Sequence, residues 1–110
     1  MTPYLVAIST ASTAEAEAIA RAMVEGRLAA AANVVPGIRS LYRWRGEIHQ
    51  AAEAMVVLKT HGDLVGEILT RVKALHSYAS PSIVAWPIAA ANPDTIDWIG
   101  RETDPGTAFV

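Results

Sequence analysis

The segment that most restricts the fold lies between residues 33 and 60, where two β-like stretches flank Gly46. Before the glycine, residues 38–44 alternate between two sets of side chains. After it, Glu47–Thr60 forms a second stretch with an apolar run near its centre. Alternation with a period of two is typical of strands, and glycine accepts the positive φ of a tight turn. The pattern predicts a long hairpin, and because an isolated hairpin is only marginally stable, its tip is expected to pack on something else.

Sequence signals before the hairpin predict a strand followed by a helix. Tyr4–Ile8 is a continuous apolar run of the kind found in buried strands. Ser12-x-x-Glu15 is a capping box, which marks the start of a helix, and Gly26 marks the region where that helix ends. Pro36-Gly37 predicts a bend or bulge early in the hairpin, because proline cannot donate to a central strand ladder.

Sequence signals after the hairpin predict a helix, a short strand and a last helix. Thr60 and Asp63 are the expected caps of the first of these helices, whose apolar residues recur at helical spacing. Residues 82–86 lie between two prolines and predict a short strand. Asn92-Pro93 pairs an N-cap residue with a proline at the first helical position, so a last helix is predicted to run to about Thr103.

The predicted order of elements is β-α-β-β-α-β with an added C-terminal helix. This is the ferredoxin-like, split βαβ order of an α+β fold, in which two helices cover one face of an antiparallel sheet. The other face is expected to meet solvent or another subunit. We expect a single domain over residues 1–110, with an ordered core at about 3–103 and a tail at 104–110.

Composition excludes several classes of protein. The chain is 52% apolar and 18% charged, which argues against disorder. Its formal net charge of −2 argues against a general nucleic-acid binder. The absence of cysteine excludes disulfides and thiolate metal sites, and it is compatible with a reducing compartment. The apolar run at the start is too short for a membrane span or a signal segment, so we expect a cytoplasmic protein without a membrane partner.

Candidate chemical groups are few and lie far apart in the sequence. None of the three histidines, His49, His61 and His76, lies four residues from another, so no sequence-local metal motif is present. His76 falls in the last turn of the second predicted helix, where it is either a cation favoured by the helix dipole or a ligand. No arrangement of acid, base and nucleophile is visible, so we expect no catalytic site, although His76 and Tyr78 would be the first catalytic candidates.

Three arginines are expected to share one face of the hairpin: Arg39, Arg43 and Arg45. They could bind an anionic metabolite, or they could form a solvated face with ion pairs to Glu47 or Glu53. The sequence favours the second interpretation.

Several stretches resemble one family when they are taken together. Residues 27–37 (RLAAAANVVPG) are similar to the "RLAACVNIIPG" segment of CutA proteins, and residues 40–48 (SLYRWRGEI) are similar to their "SIYWWEGKI" hairpin. Residues 53–60 resemble "EVLLIIKT", and residues 76–84 resemble "HPYEVPEII". The resemblance spans about residues 4–102, and the order and spacing of the pieces are specific.

The resemblance implies a ferredoxin-like homotrimer, similar in shape to PII signalling proteins, in which the hairpin reaches a neighbouring subunit. It also implies a non-enzymatic role in divalent-cation, nominally copper, tolerance. The family positions associated with metal are occupied here by Ser9, His76 and Ser82, and only His76 keeps a good ligand type. We therefore expect weak or absent specific copper binding, with a divalent cation such as copper as the only candidate cofactor.

An alternative interpretation is a PII-like trimeric regulatory protein that binds a small anionic ligand in clefts between subunits. Its expected ligand residues are Lys59, Tyr78, Trp44 and Arg39, since aromatic rings and cations together suit such a ligand. A third interpretation is a structural trimer that anchors a partner through its hairpins.

Overall fold

A computed structural model describes residues 1–104 of the chain. Within them the elements are β1 (Pro3–Thr10), α1 (Thr13–Glu25), β2 (Ala31–Trp44), β3 (Glu47–His61), α2 (Gly62–Leu75), β4 (Ile83–Pro87) and α3 (Pro93–Glu102). The predicted α+β, split βαβ order with a C-terminal helix is confirmed. The predicted tail at 104–110 lies outside the described residues from position 105 onward.

The four strands of the described chain form one antiparallel sheet in the order β2-β3-β1-β4. Strand β3 is central and pairs with β1 from Pro3↔His61 to Thr10↔Ala54. It also pairs with β2 from Ala31↔Lys59 to Trp44↔Glu47, and that register shifts between Val35 and Ile38. The bulge predicted from Pro36-Gly37 is therefore present, and Gly37 has the positive φ of 69° that it requires.

The hairpin turn has two residues, Arg45 and Gly46, with φ values of 51° and 81°. Positive φ at both central positions is the requirement of a type I′ turn, whose twist matches that of paired strands. Because Arg45 lies in the turn, it does not share a strand face with Arg39 and Arg43, so that expectation is wrong for Arg45.

The core lies between one face of the sheet and helices α1 and α2. Alternate residues of β3 from Ala54 to Thr60 are buried under the helices, and Leu58 is fully inaccessible to solvent. Ile19 and Met23 of α1 and Ile68 of α2 complete this core. Burial of this continuous apolar cluster is the main favourable contribution to the stability of the fold.

The helix starts follow their predicted caps in two cases of three. Ser12 Oγ accepts from the Glu15 amide at 3.1 Å, and Asn92 Oδ1 accepts from the Asp94 amide at 3.0 Å. Helix α2 begins after His61 without a side-chain cap. Thr60 is turned into the core instead, where its hydroxyl donates to the Leu28 carbonyl at 2.7 Å. The prediction that Thr60 caps α2 is therefore wrong.

Part of the sheet face opposite α1 and α2 is exposed in the described residues. Val84 and Trp86 of β4 are 53% and 42% exposed on that face. The outer half of the hairpin extends beyond both layers, and the described chain measures 45 × 30 × 22 Å. Among residues 1–104, every helix is too short or too polar to cross a membrane.

Candidate functional site

Hydrogen bonds of His76 hold the segment between α2 and β4 against the end of β1. The imidazole Nδ1 accepts from the Tyr78 amide at 3.0 Å, so the ring proton resides on Nε2. Nε2 then donates to the Ser9 carbonyl at 2.6 Å. Since both ring nitrogens have backbone partners and only 9% of the residue is exposed, His76 holds the segment in place.

Glu15 fastens the same segment to the start of α1. One carboxylate oxygen accepts from the Ala11 amide at 3.0 Å, and the other accepts from the Ser77 amide at 2.7 Å. Burial alone would raise the pKa of Glu15, but the two amide donors and the neighbouring His76 outweigh it, so this pKa is lowered.

Tyr78 is fastened to the central strand. Its hydroxyl donates to Glu53 Oε2 at 2.8 Å, across 25 positions in the sequence. Burial, together with the hydrogen bond to Glu53 and the negative charge of that carboxylate, raises the pKa of Tyr78 to about 12. The phenol therefore keeps its proton at neutral pH and donates a hydrogen bond to the Glu53 carboxylate.

These contacts form one side of a cleft of about 480 Å³ on the face of the sheet that the helices leave uncovered. Three aromatic residues, Tyr42, Trp44 and Tyr78, line the cleft together with Glu53. Arg43 and four serines complete the lining, the serines being Ser9, Ser40, Ser80 and Ser82. A volume of this size suits a small molecule, since ligand pockets usually measure about 300–1,000 Å³.

The structure brings only some of the predicted ligand residues together within one chain. Tyr78 and Trp44 line the cleft. Lys59 lies six positions further along β3 than Glu53, which is about 20 Å in a strand, and its ammonium group donates to Asn33 Oδ1 at 2.9 Å. Arg39 lies on the opposite face of the hairpin and lines a separate groove.

The three positions that the sequence links to metal are neighbours in space. The Ser9 amide donates to the Ser82 carbonyl at 3.2 Å, and His76 bonds the Ser9 carbonyl. These contacts are made by backbone groups and by an imidazole whose two nitrogens are both engaged. Across residues 1–104, no group of three or more His, Cys, Asp and Glu side chains is close enough together to hold a metal ion.

The sequence did not identify Glu53 as a partner of Tyr78. The sequence indicates Glu53 only as a possible ion-pair partner of the hairpin arginines. A usable signal is the alternation of β3, which places Glu53 on the face opposite the buried Ala54. The contact itself joins distant segments, so no local pattern could predict it.

The sequence model of the family described as "CutA1 divalent ion tolerance protein" matches residues 4–102. The chain belongs to the CutA1 family. It is 44% identical over 99 residues to the "Divalent-cation tolerance protein CutA" of Thermus thermophilus, a match that covers 90% of this chain and 96% of the relative. It is 37% identical over 89 residues to the "Protein CutA" of Mus musculus, covering 81% of this chain but only half of that longer protein.

Solved CutA structures share the fold. The "Periplasmic divalent cation tolerance protein CutA" of Archaeoglobus fulgidus superimposes with a TM-score of 0.88 at 36% identity, covering 93% of this chain and 99% of that one. The resemblance noted in the sequence is thus confirmed as CutA1 membership, and the matched range contains the cleft and all of its fastening contacts.

Proposed function

We propose that this protein acts in divalent-cation tolerance as a non-enzymatic homotrimer. The observation that carries the proposal is the 44% identity to a relative named for divalent-cation tolerance, over nearly the full length of both chains. Deleting the gene from the organism that carries it is expected to lower growth in graded Cu²⁺, Zn²⁺ or Co²⁺. Unchanged growth in all three cations would contradict the proposal.

The side chains nearest to catalytic chemistry support a non-enzymatic role. His76 uses both ring nitrogens on backbone groups, so it has no free nitrogen with which to take a proton from a substrate. The pKa of Tyr78 is raised to about 12 by burial and by Glu53, which makes its phenol a poor base at neutral pH.

Exposed apolar side chains on the uncovered face of the sheet support the homotrimer. Monomeric proteins rarely expose large contiguous apolar patches, and Val84 and Trp86 are half-exposed on this face. Leu41 and Ile48 on the extended hairpin are 67% and 66% exposed. Replacing Trp86 by Glu is expected to dissociate the assembly in sedimentation, whereas Leu75→Glu, at an exposed position on α2, serves as the matched control.

The residues of a single chain do not fit a tight divalent-metal site at Ser9, His76 and Ser82. One engaged imidazole and two neutral hydroxyls are a poor donor set for copper or zinc. We therefore propose weak or absent specific copper binding. Calorimetric titration with Cu²⁺ is expected to show no saturable submicromolar site, and submicromolar binding that His76→Ala removes and His49→Ala keeps would contradict this.

A second candidate function is a PII-like regulator that binds a small ligand in clefts between subunits. The cleft with Trp44 and Tyr78 on its walls favours it. The sequence suggested an anionic ligand, and Arg43 of the same chain lines the cleft. Lys59 and Arg39, the cations that the sequence named, would have to come from a neighbouring subunit. Thermal-shift screening with nucleotides and small carboxylates tests this candidate, since an anionic ligand should raise the Tm and Lys59→Ala should abolish that rise.

A cytoplasmic location remains a prediction from the sequence. The Archaeoglobus relative is called periplasmic, so the two locations are open to direct comparison. Fractionation of the native cells decides between them, and recovery of the protein outside the cytoplasmic fraction would contradict the prediction.

A further inference from the structure

We propose that helix α3 is a hinged cover that opens from the rest of the chain as a unit, and that Arg27 is the latch that holds it closed. The latch consists of the hydrogen bonds from the Arg27 guanidinium to the last carbonyls of α3. Opening exposes Ile99 and the part of β3 on which α3 packs. This movement lies outside the cleft and is separate from a role in cation tolerance.

Helix α3 is attached to the rest of the chain by a small buried contact. Among the residues of α3 (Pro93–Glu102), Ile99 alone is fully buried. It does not belong to the continuous core that α1 and α2 form with the sheet. A groove of about 690 Å³ lies between α1 and α3, with Val24 and Trp98 among its lining residues. Because a helix of this length is marginal in water on its own, α3 depends on few contacts for its place.

Arg27 reaches across this groove and binds the end of α3. Its Nε donates to the Glu102 carbonyl at 3.2 Å, and its Nη2 donates to the Arg101 carbonyl at 2.6 Å. Carbonyls in the last turn of a helix lack an intrahelical partner, and the helix dipole attracts a cation there. The planar guanidinium carries several N–H donors in one fork, so a single side chain caps two of these carbonyls.

The other end of the latch is fixed to the core. Leu28, the residue after Arg27, is fully buried. Its amide donates to the Met23 carbonyl of α1 at 2.9 Å, and its carbonyl accepts from the Thr60 hydroxyl of β3 at 2.7 Å. The backbone that carries Arg27 is therefore held firmly, whereas the helix that Arg27 binds is held by little else within the described residues.

The backbone conformation of Arg27 supports a role for its side chain. Arg27 follows Gly26, the C-cap residue of α1, and its φ is 59°. Glycine is the usual residue at this position of a helix end, because a side chain with a Cβ atom is strained at positive φ. An arginine here gives up some stability of the loop, and the hydrogen bonds to α3 offset that loss.

The hinge lies between β4 and α3. The Ile88 amide donates to the Pro3 carbonyl at 2.9 Å, which keeps the end of β4 with the sheet. The Asn92 side chain accepts from the Asp94 amide at 3.0 Å, which caps α3 and keeps it intact as one body. Ala89–Ala91 joins these two points without regular secondary structure, so the backbone rotations of a hinge are available there.

The test measures hydrogen exchange of backbone amides in the full chain and in its native assembly. In the wild type, we expect the amides of α3 to exchange as a group, ahead of the core amides of β3. Arg27→Lys keeps the charge but loses the planar fork, so α3 should exchange about tenfold faster than in the wild type. Arg21→Lys is the matched control, because Arg21 pairs with Glu25 on the exposed surface of α1 and should leave α3 exchange unchanged.

A second variant separates the latch from the backbone strain. Arg27→Gly removes the guanidinium and also relieves the strain at positive φ. Exchange of α3 should therefore quicken by about tenfold or more, as in Arg27→Lys. The core amides of β3 should exchange more slowly in Arg27→Gly than in Arg27→Lys, because the relief of strain stabilises the folded loop whether α3 is open or closed. Native mass spectrometry checks that each variant keeps its assembly.

Two results would overturn the proposal. If the amides of α3 and of the β3 core exchange together in the wild type, α3 does not open as a separate unit. If both Arg27 variants keep the wild-type exchange of α3, another contact holds the helix, such as one made by a neighbouring subunit, and Arg27 is not the latch.

Discussion

The inner and outer halves of the long hairpin follow the same alternating pattern but lie in opposite surroundings. In the inner half, Val56 and Leu58 of β3 are fully buried between the sheet and the helices. In the outer half, Leu41 and Ile48 are 67% and 66% exposed. Within residues 1–104, no helix covers the outer half. The contrast teaches that the helices complete the core of the inner half, whereas the apolar side chains of the outer half would be covered only in the proposed assembly.

The overall dimensions agree with this contrast. A compact chain of this length has an expected radius of gyration of about 13 Å, whereas the observed value is 14.5 Å. The excess comes from the hairpin, which extends away from the two-layered part of the molecule. The cleft with Glu53 and Tyr78 lies where the two halves of the hairpin meet.

The largest effect is expected when a leucine of the inner half is replaced by alanine and the result is compared with the same replacement in the outer half. Leu58→Ala should lower the free energy of unfolding by about 2–5 kcal/mol, because it leaves a cavity in a closed core. Leu41→Ala should leave intrachain stability nearly unchanged and should weaken assembly instead. Urea unfolding at several protein concentrations measures both effects, and equal losses at all concentrations would remove the distinction between the halves.

A smaller effect is expected from a buried hydroxyl in the inner half. Thr60→Val removes the donor to the Leu28 carbonyl and should cost about 1–3 kcal/mol, since that buried acceptor loses its partner. Thr70→Val is the matched control, because Thr70 makes its hydrogen bond to Gly66 on the exposed surface of α2. A loss of stability in the control as large as that of Thr60→Val would show that burial does not set the cost.

The Tyr78–Glu53 contact, at the boundary between the halves, is expected to contribute about 0.5–1.5 kcal/mol. The raised pKa of Tyr78 means that its stabilisation is complete below pH 10 and is lost as the pH rises through about 12. Glu53→Gln should shift the tyrosinate absorbance titration of Tyr78 back towards its ordinary value. The control Glu17→Gln removes an exposed carboxylate from α1 and should leave this titration unchanged, whereas an unchanged titration in Glu53→Gln would contradict the assignment.

The smallest expected effect concerns Glu15 and acid stability. Because the folded-state pKa of Glu15 is lowered, its contribution is present above the ordinary value of 4.5 and is lost as the pH falls through the folded value. Glu15→Gln should therefore make the loss of stability below pH 4.5 shallower. Urea unfolding between neutral and acid pH measures this slope, and Glu17→Gln should keep the slope of the wild type. An identical slope in both variants would argue against the amide contacts of Glu15.

The local part of the fold could be predicted because its signals lie within a few residues. The Ser12–Glu15 capping box, the Gly46 turn and the Asn92-Pro93 helix start each depend on near neighbours, and each is present. The prediction that Thr60 caps α2 is wrong because its hydroxyl donates to the Leu28 carbonyl in the core. This contact joins distant segments, so no local pattern predicts it.

The site was predictable only in part, for the same physical reason. The sequence identified Tyr78 and Trp44, whose side chains do share a cleft. It did not identify Glu53, because the contact with Tyr78 depends on how the segment after α2 folds back over β3. It also placed Lys59 and Arg39 beside the aromatics, whereas strand length and alternation separate them within one chain.

The most direct test of the proposed assembly is native mass spectrometry of the intact wild-type protein at low concentration. The exposed outer hairpin and sheet face would be covered in the proposed homotrimer, so the mass of three chains is expected. A stable, well-folded monomer would contradict this account, because both surfaces would then be complete without a neighbour.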